Sequence, residues 1–223
     1  MHSNNLLKEN YEKVVTQLPE DIQLVAVSKT HDVETVQKVY DLGQRIFGEN
    51  KVQELISKQP DLPEDIEWHL IGHLQTNKVK YIAEFIHTIQ SVDSEKILKE
   101  IDKQAAKFSR KIKVLLQIKI AEEDTKYGLD FDTANNILSN NLNGAYPNTE
   151  ICGLMGMATF TEDQAQVRRE FEKLKKFYDQ LSAQHNFDTL SMGMSGDYPL
   201  AIACGATSVR IGSAIFGERH YDL

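Results

Sequence analysis

Short runs rich in β-branched residues alternate along this chain with longer stretches of helical period. Such alternation predicts right-handed βαβ units around a parallel sheet. Eight candidate strands favour closure into a TIM-like (β/α)8 barrel over an open doubly wound sheet. The predicted strands are Leu24–Lys29, Arg45–Glu49, Trp68–Leu74, Thr88–Val92, Ile112–Ile120, Glu150–Met157, Thr189–Met194 and Ser208–Ile211.

The helical stretches between these strands carry start and stop signals of their own. Asp32 is suited to cap a helix that begins at Val33, and Gly43 stands where a left-handed residue ends one. An extra N-terminal helix over Asn5–Gln17 is expected to cover the side of the barrel where little chain follows the last strand. The other predicted helices are Val33–Leu42, Lys51–Ser57, Asn77–Glu84, Ser94–Phe108, Phe131–Asn141, Glu162–His185 and Tyr198–Cys204.

Composition sets limits on the class of protein. A chain of 223 residues with 41% hydrophobic content and no linker-like tract suits a single domain over residues 1–223. The formal net charge of -8 argues against non-specific binding to nucleic acid. Cys152 and Cys204 lack metal-type spacing and are interpreted as reduced core thiols. No signal peptide or membrane-spanning run is evident, so a soluble, cytoplasmic protein is expected.

Lys29 ends an apolar run at the first predicted strand. In a barrel of this kind the site lies at the carboxyl ends of the strands. An amine at that apolar mouth is desolvated, which favours the neutral form that attacks an aldehyde and holds it as an imine. By position alone, an ordinary lysine that reaches out to solvent explains Lys29 equally well.

The loops after the last two strands favour a phosphate group as the ligand. Ser195 and Gly196 follow the seventh strand, and Gly212 and Ser213 follow the eighth. These two loops, with the start of a short helix, form the recurrent phosphate site of the fold. Each residue alone could be an ordinary turn residue, but together they support an anchored anion.

Two further features admit more than one interpretation. Arg210 lies inside the last strand, where burial requires an acceptor; a ligand and a structural carboxylate are both possible partners. His69 and His73 are four residues apart on one predicted strand, so both are expected on one face. No third metal ligand with convincing spacing is visible, so no metal site is predicted.

Several segments together resemble the pyridoxal phosphate homeostasis proteins, which are similar to the barrel domain of alanine racemase. The resemblance extends from the first strand to the last. The matching segments are Ala26–Lys29, Phe47–Glu54, Trp68–Lys78, Lys126–Gly128, Gly153–Met155, Leu190–Ser195 and Val209–Gly217.

The resemblance implies pyridoxal 5′-phosphate as the cofactor. It assigns Lys29 to the lysine that holds the cofactor as an internal aldimine. It also assigns a phosphate cradle, a partner for the pyridine nitrogen and two positions that line the pocket. These are Ser195, Gly212 and Ser213 for the phosphate, Arg210 for the nitrogen, and Asn50 and Met192 for the lining.

Arg210 also bears on function. A permanently charged donor at the ring nitrogen keeps that nitrogen unprotonated and weakens the ring as an electron sink. Racemisation in the similar racemase also needs an acid/base group from an added domain and its partner subunit, and this chain ends at Leu223. The sequence therefore predicts a cofactor carrier in intracellular homeostasis, with no catalytic residue.

Two alternative functions and several expectations about partners complete the prediction. A weak or broad amino-acid racemase is the principal alternative, and a Schiff-base aldolase that uses Lys29 is another. The carrier is expected to be a monomer. Its recipients are expected to be enzymes that depend on pyridoxal phosphate, and neither nucleic acid nor a membrane is expected as a partner.

Overall fold

Eight parallel strands close into a barrel in the order of the sequence. The computed structural model describes the backbone of residues 2–122 and 127–217, with side chains from residue 5 onward. The strand β8 pairs with β1 and completes the ring, so the predicted barrel is confirmed. The strands are β1 Gln23–Val27, β2 Ile46–Glu49, β3 Glu67–Leu70, β4 Thr88–Val92, β5 Ile112–Ile118, β6 Thr149–Gly156, β7 Thr189–Met194 and β8 Ser208–Ile211.

Helices surround the barrel and begin where the sequence offers caps. The side chain of Asp32 accepts a hydrogen bond from the backbone N–H of Thr35 at 2.8 Å, and Gly43 has φ +110°, as predicted. Ser94, Asp130 and Asp163 cap later helices in the same way. The helices are α1 His2–Gln17, α2 Val33–Asp41, α3 Val52–Lys58, α4 Glu95–Lys107, α5 Phe131–Leu142, α6 Gln164–His185, α7 Tyr198–Ala203 and α8 Ser213–Phe216.

The N-terminal helix α1 takes the place of a full-length eighth outer helix. The helix α8 has only four residues, and α1 packs against it. Tyr11 and Val14 of α1 are buried in the core. The hydroxyl of Tyr198 donates to Gln17 Oε1 at 2.8 Å and ties the end of α1 to α7. The predicted role of the N-terminal helix is therefore confirmed.

The segment that follows β3 departs from the prediction. The strand was expected to reach Leu74, but it ends at Leu70. A Cβ atom on Gly72 would lie 2.3 Å from the carbonyl oxygen of Asn50, so the chain turns closely over the end of β2. The predicted helix Asn77–Glu84 is a short 3-10 helix at Thr76–Tyr81. The apolar pattern continues through Ile71, but the backbone leaves the sheet there.

Among residues 2–122 and 127–217, no helix combines the length and the apolar character needed to cross a bilayer.

Candidate functional site at the carboxyl end of the barrel

A cavity of about 640 Å³ opens at the carboxyl ends of the strands. It lies at the end of the barrel where the site is predicted from the sequence. Six of the seven predicted cofactor-binding residues line it: Lys29, Asn50, Ser195, Arg210, Gly212 and Ser213. The seventh, Met192, is fully buried in the core. The structure thus brings residues from four separated segments to one cavity.

Lys29 follows the end of β1 and is partly buried. Its two chain neighbours are held by side chains from α3. Lys58 donates from Nζ to the carbonyl oxygen of Ser28 at 2.8 Å, and Glu54 accepts a hydrogen bond from the backbone N–H of Thr30. Thr30 has φ +69°, a conformation that a β-branched residue adopts only under constraint. The backbone that carries Lys29 is therefore fixed on both sides.

Lys58 belongs to a buried charge cluster beside Ser28. Its Nζ lies 2.8 Å from Glu49 Oε1 and 2.7 Å from Glu54 Oε1, and its side chain is only 6% exposed. The Ser28 hydroxyl also donates to Glu49 Oε1, at 2.6 Å. Burial raises the pKa of Glu49, while the nearby Lys58 and the hydrogen bonds oppose that rise. This cluster was not predicted, although Glu54 and Lys58 have the i,i+4 spacing of a helical ion pair.

The loops after β7 and β8 meet as predicted. The Ser195 hydroxyl oxygen accepts from the backbone N–H of Gly212 at 3.2 Å and from that of Ala214 at 3.4 Å. A Cβ atom on Gly212 would lie 3.3 Å from the carbonyl oxygen of Val27, so a larger residue would crowd β1. Small residues, two hydroxyls and backbone N–H groups form this wall. That donor set fits a phosphate group.

Arg210 is 3% exposed and points into the barrel. Its Nη1 donates to Ser191 Oγ at 2.5 Å, and its Nη2 donates to the carbonyl oxygen of Gly156 at 3.0 Å. Among the described residues its hydrogen bonds go to neutral oxygens, so the structural carboxylate considered from the sequence is not observed. Burial lowers the pKa of Arg210 to about 10, with Asp197 acting in the opposite direction. The guanidinium stays charged at neutral pH.

His69 and His73 do not share a face, so that expectation is wrong. His69 is a buried residue of β3 and contacts Gln90 through Nδ1 at 2.9 Å. His73 lies beyond the turn at Gly72 and lines the cavity. Its Nδ1 is 2.7 Å from Asp93 Oδ2. The early end of β3 separates the two side chains.

Two other side-chain groups were not predicted. Tyr127 stacks on His73 with ring centroids 4.5 Å apart, and both side chains line the cavity. Near the opposite end of β3, Glu67, His69 and His87 place potential metal-ligand atoms within 4.8 Å of one another. The absence of a metal site remains a prediction. Lys126, which the resemblance includes, lies outside the described residues.

Comparisons with known proteins agree with this fold. The family model described as alanine racemase, N-terminal domain, matches residues 3–220. A pyridoxal phosphate homeostasis protein of Aquifex aeolicus is 39% identical over 202 residues, which are 89% of this chain and 88% of the relative. The protein of that name from Pasteurella multocida is 38% identical over 97% of this chain and 96% of its own.

Solved structures show the same likeness. PipY of Synechococcus elongatus, solved with PLP bound, has a TM-score of 0.86 and 37% identity over 95% of this chain and 100% of its own. Alanine racemase from Bartonella henselae has a TM-score of 0.77 and 17% identity over 98% of this chain and 62% of its own. At that low identity, the racemase supports the fold alone.

Proposed function

Because the chain belongs to the family of the pyridoxal phosphate homeostasis proteins, we propose that it binds pyridoxal 5′-phosphate in the cavity at the carboxyl end of the barrel. PipY, a relative with 37% identity, was solved with PLP bound. The observation that carries the proposal is the meeting of Lys29 with the Ser195 and Gly212 loops on one cavity. An amine and a set of anion-binding donors are the two features that an aldehyde phosphate requires.

Lys29 would hold the cofactor covalently. The cofactor supplies an aldehyde, which condenses with a primary amine to a Schiff base with loss of one water molecule. Lys29 supplies that amine from a segment fixed on both sides by Lys58 and Glu54. A fixed backbone leaves only the lysine side chain to adjust, so little entropy is lost on attachment.

The other predicted residues would divide the remaining contacts. Ser195, Gly212 and Ser213 would bind the phosphate, and Asn50 would line the pocket beside the ring. Arg210 would donate to the pyridine nitrogen. Met192 would act only through packing, because it is fully buried in the core.

The protein would carry the cofactor without turnover. Arg210 would donate a hydrogen bond to the ring nitrogen, but its guanidinium stays protonated at neutral pH and would not transfer a proton to that nitrogen. Enzymes that use the ring as a strong electron sink place an acid at that nitrogen instead. We propose that residues 1–223 act as one monomeric, cytoplasmic barrel domain that stores the cofactor and passes it to enzymes that depend on it.

Absorbance tests the covalent attachment directly. The protein incubated with pyridoxal phosphate should absorb at roughly 420 nm, as a lysine Schiff base does. Borohydride reduction followed by peptide mass spectrometry should locate the label on Lys29. Lys29→Ala should lose the band, while Lys51→Ala, at an exposed lysine beside Asn50, should keep it. A Lys29→Ala protein with an unchanged spectrum would refute the assignment.

One observation favours the racemase as a second candidate function. His73, oriented by Asp93, gives the cavity wall an imidazole that can transfer protons. A racemase would exchange the α-proton of an added amino acid with solvent. Deuterium incorporation that is lost in His73→Phe would support this candidate, and no incorporation across a panel of amino acids would remove it.

A further inference from the structure

Four polar side chains cross the interior of the barrel at mid-height. Interiors of such barrels are usually filled by branched apolar residues, so a buried polar layer requires an explanation. The layer consists of Arg210 on β8, Ser191 on β7, Gln90 on β4 and His69 on β3, and each is at most 3% exposed.

These four side chains form one continuous hydrogen-bonded chain. Arg210 Nη1 lies 2.5 Å from Ser191 Oγ, and Ser191 Oγ lies 2.6 Å from Gln90 Oε1. The amide Nε2 of Gln90 lies 2.9 Å from His69 Nδ1. Because β4 and β7 are not neighbours in the barrel, the contact between Ser191 and Gln90 crosses its interior.

The direction of this chain follows from its first member. A guanidinium can only donate, so the Ser191 oxygen accepts from Arg210. Ser191 is fully buried, and the other polar contact of its hydroxyl among the described residues is Gln90 Oε1, which must take its hydrogen. The Gln90 amide is then turned with Nε2 toward His69. Every hydrogen bond therefore points from Arg210 toward His69.

That direction also assigns a tautomer to His69. Its Nδ1 accepts from Gln90, so a neutral ring carries its hydrogen on Nε2. Burial, with His87 and Lys113 acting in the same direction, lowers the pKa of His69 to about 3, so the ring is neutral at pH 7. A hydrogen on Nε2 cannot coexist with a metal at that atom. This tautomer is consistent with the prediction that Glu67, His69 and His87 hold no metal.

We propose that Ser191, Gln90 and His69 are positioning residues that hold the Arg210 guanidinium against the pyridine nitrogen of the cofactor. This inference rests on the proposed function. The Ser191 hydroxyl and the Gly156 carbonyl accept hydrogen bonds from Nη1 and Nη2 of Arg210 and so fix the guanidinium. Gln90 and His69 in turn fix the hydroxyl of Ser191. The buried polar layer is therefore explained by its role in supporting the contact between Arg210 and the pyridine nitrogen.

A cofactor analogue separates this role from a general contribution to folding. The probe is a pyridoxal phosphate analogue in which C–H replaces the ring nitrogen. It keeps the aldehyde and the phosphate but offers Arg210 no acceptor. The affinity of both compounds is measured by absorbance titration of the full chain and of its variants.

The wild-type protein should bind pyridoxal phosphate at least about tenfold more tightly than the analogue. In Ser191→Ala this preference should fall by about tenfold, through weaker binding of pyridoxal phosphate while the analogue is unaffected. Gln90→Met should act in the same direction and serves as the second variant if Ser191→Ala does not fold. Cys152→Ala alters a buried residue that is not one of the four hydrogen-bonded side chains. This variant should keep the wild-type preference for pyridoxal phosphate over the analogue.

Three results would overturn the inference: a wild-type protein without preference, variants that keep the preference, and variants that lose affinity for both compounds equally. The last result would assign the layer to folding alone. Failure of the proposed function is recognised separately, because it would remove the Lys29-dependent absorbance from the wild-type protein.

Discussion

The ammonium group of Lys58 donates a hydrogen bond to the carbonyl oxygen of Ser28, the residue before Lys29, at 2.8 Å. The same ammonium neutralises Glu49, whose side chain is fully buried, and contacts Glu54. Lys58 on α3 therefore fixes the backbone next to Lys29, which lines the cavity. Since a buried charge is tolerated only with a partner, Lys58 links the stability of the protein to the geometry of the site.

Replacement of Lys58 by methionine should destabilise the protein strongly. The change leaves Glu49 as a buried carboxylate without a cationic partner, which costs about 3 kcal/mol of unfolding free energy at pH 7. Because the pKa of Glu49 is already raised, protonation at lower pH should relieve part of this loss. Urea denaturation of Lys58→Met and of the wild type at pH 7 and pH 5.5 measures both effects.

Lys38→Met is the matched control for that experiment. Lys38 pairs with Glu34 at 2.7 Å, with the same i,i+4 spacing, but on the exposed surface of α2. Its loss should cost less than about 0.5 kcal/mol. Equal effects of the two substitutions would contradict a special role for the buried cluster.

The neutral state of His69 should make the protein sensitive to acid. Its pKa is about 3 in the folded protein, below the ordinary value of 6.5, so the unfolded chain binds more protons between those values. The stability it contributes is complete above pH 6.5 and is lost as the pH falls toward 3. The slope from one such group is roughly 1.4 kcal/mol per pH unit. In His69→Gln, urea midpoints between pH 6 and pH 4 should fall less steeply than in the wild type, and equal slopes would contradict this origin.

The barrel could be predicted because its signals are local. Thr88–Val92, Thr189–Met194 and Ser208–Ile211 have the predicted limits, since each is a compact run bounded by loop residues. The third strand was overextended, because Ile71 continues the apolar pattern. Its end depends on the close approach of Gly72 to Asn50, which are 22 positions apart in the sequence, and no local pattern encodes that contact.

The site could be predicted only in part for the same reason. Lys29 and the Ser195 and Gly212 loops were found because the fold places strand ends together. Lys58 was missed because the Ser28 carbonyl that it contacts is 30 positions away. The layer of Ser191, Gln90 and His69 was missed because its members lie on strands that meet only across the closed barrel. Roles for the predicted cofactor-binding residues stay predictions until ligand binding is measured.

Gly153 should tolerate no side chain. A Cβ atom there would lie 1.7 Å from the carbonyl oxygen of Thr189, where β6 pairs with β7. Because the obstacle is backbone, the two strands would have to separate, so Gly153→Ala should cost about 3 kcal/mol or more. Gly196→Ala, where the added atom meets open space, should change stability by less than about 0.5 kcal/mol. Thermal denaturation of both variants tests the difference, and a stable Gly153→Ala would show that the strands can shift there.

Ser195 should contribute to the affinity for the phosphate group specifically. Its hydroxyl oxygen accepts from the N–H groups of Gly212 and Ala214, which orders the loop after β8 and turns its own hydrogen toward the cavity. Ser195→Ala removes both effects, so binding of pyridoxal phosphate should weaken by roughly tenfold. Pyridoxal, which has the aldehyde and the ring but no phosphate, should bind the variant and the wild type equally. Titration of the variant and the wild type with both compounds measures these affinities. An equal loss of affinity for pyridoxal phosphate and pyridoxal would contradict a phosphate contact, because the two compounds differ only in the phosphate. The effect of Ser195 would then lie on the ring or on Lys29.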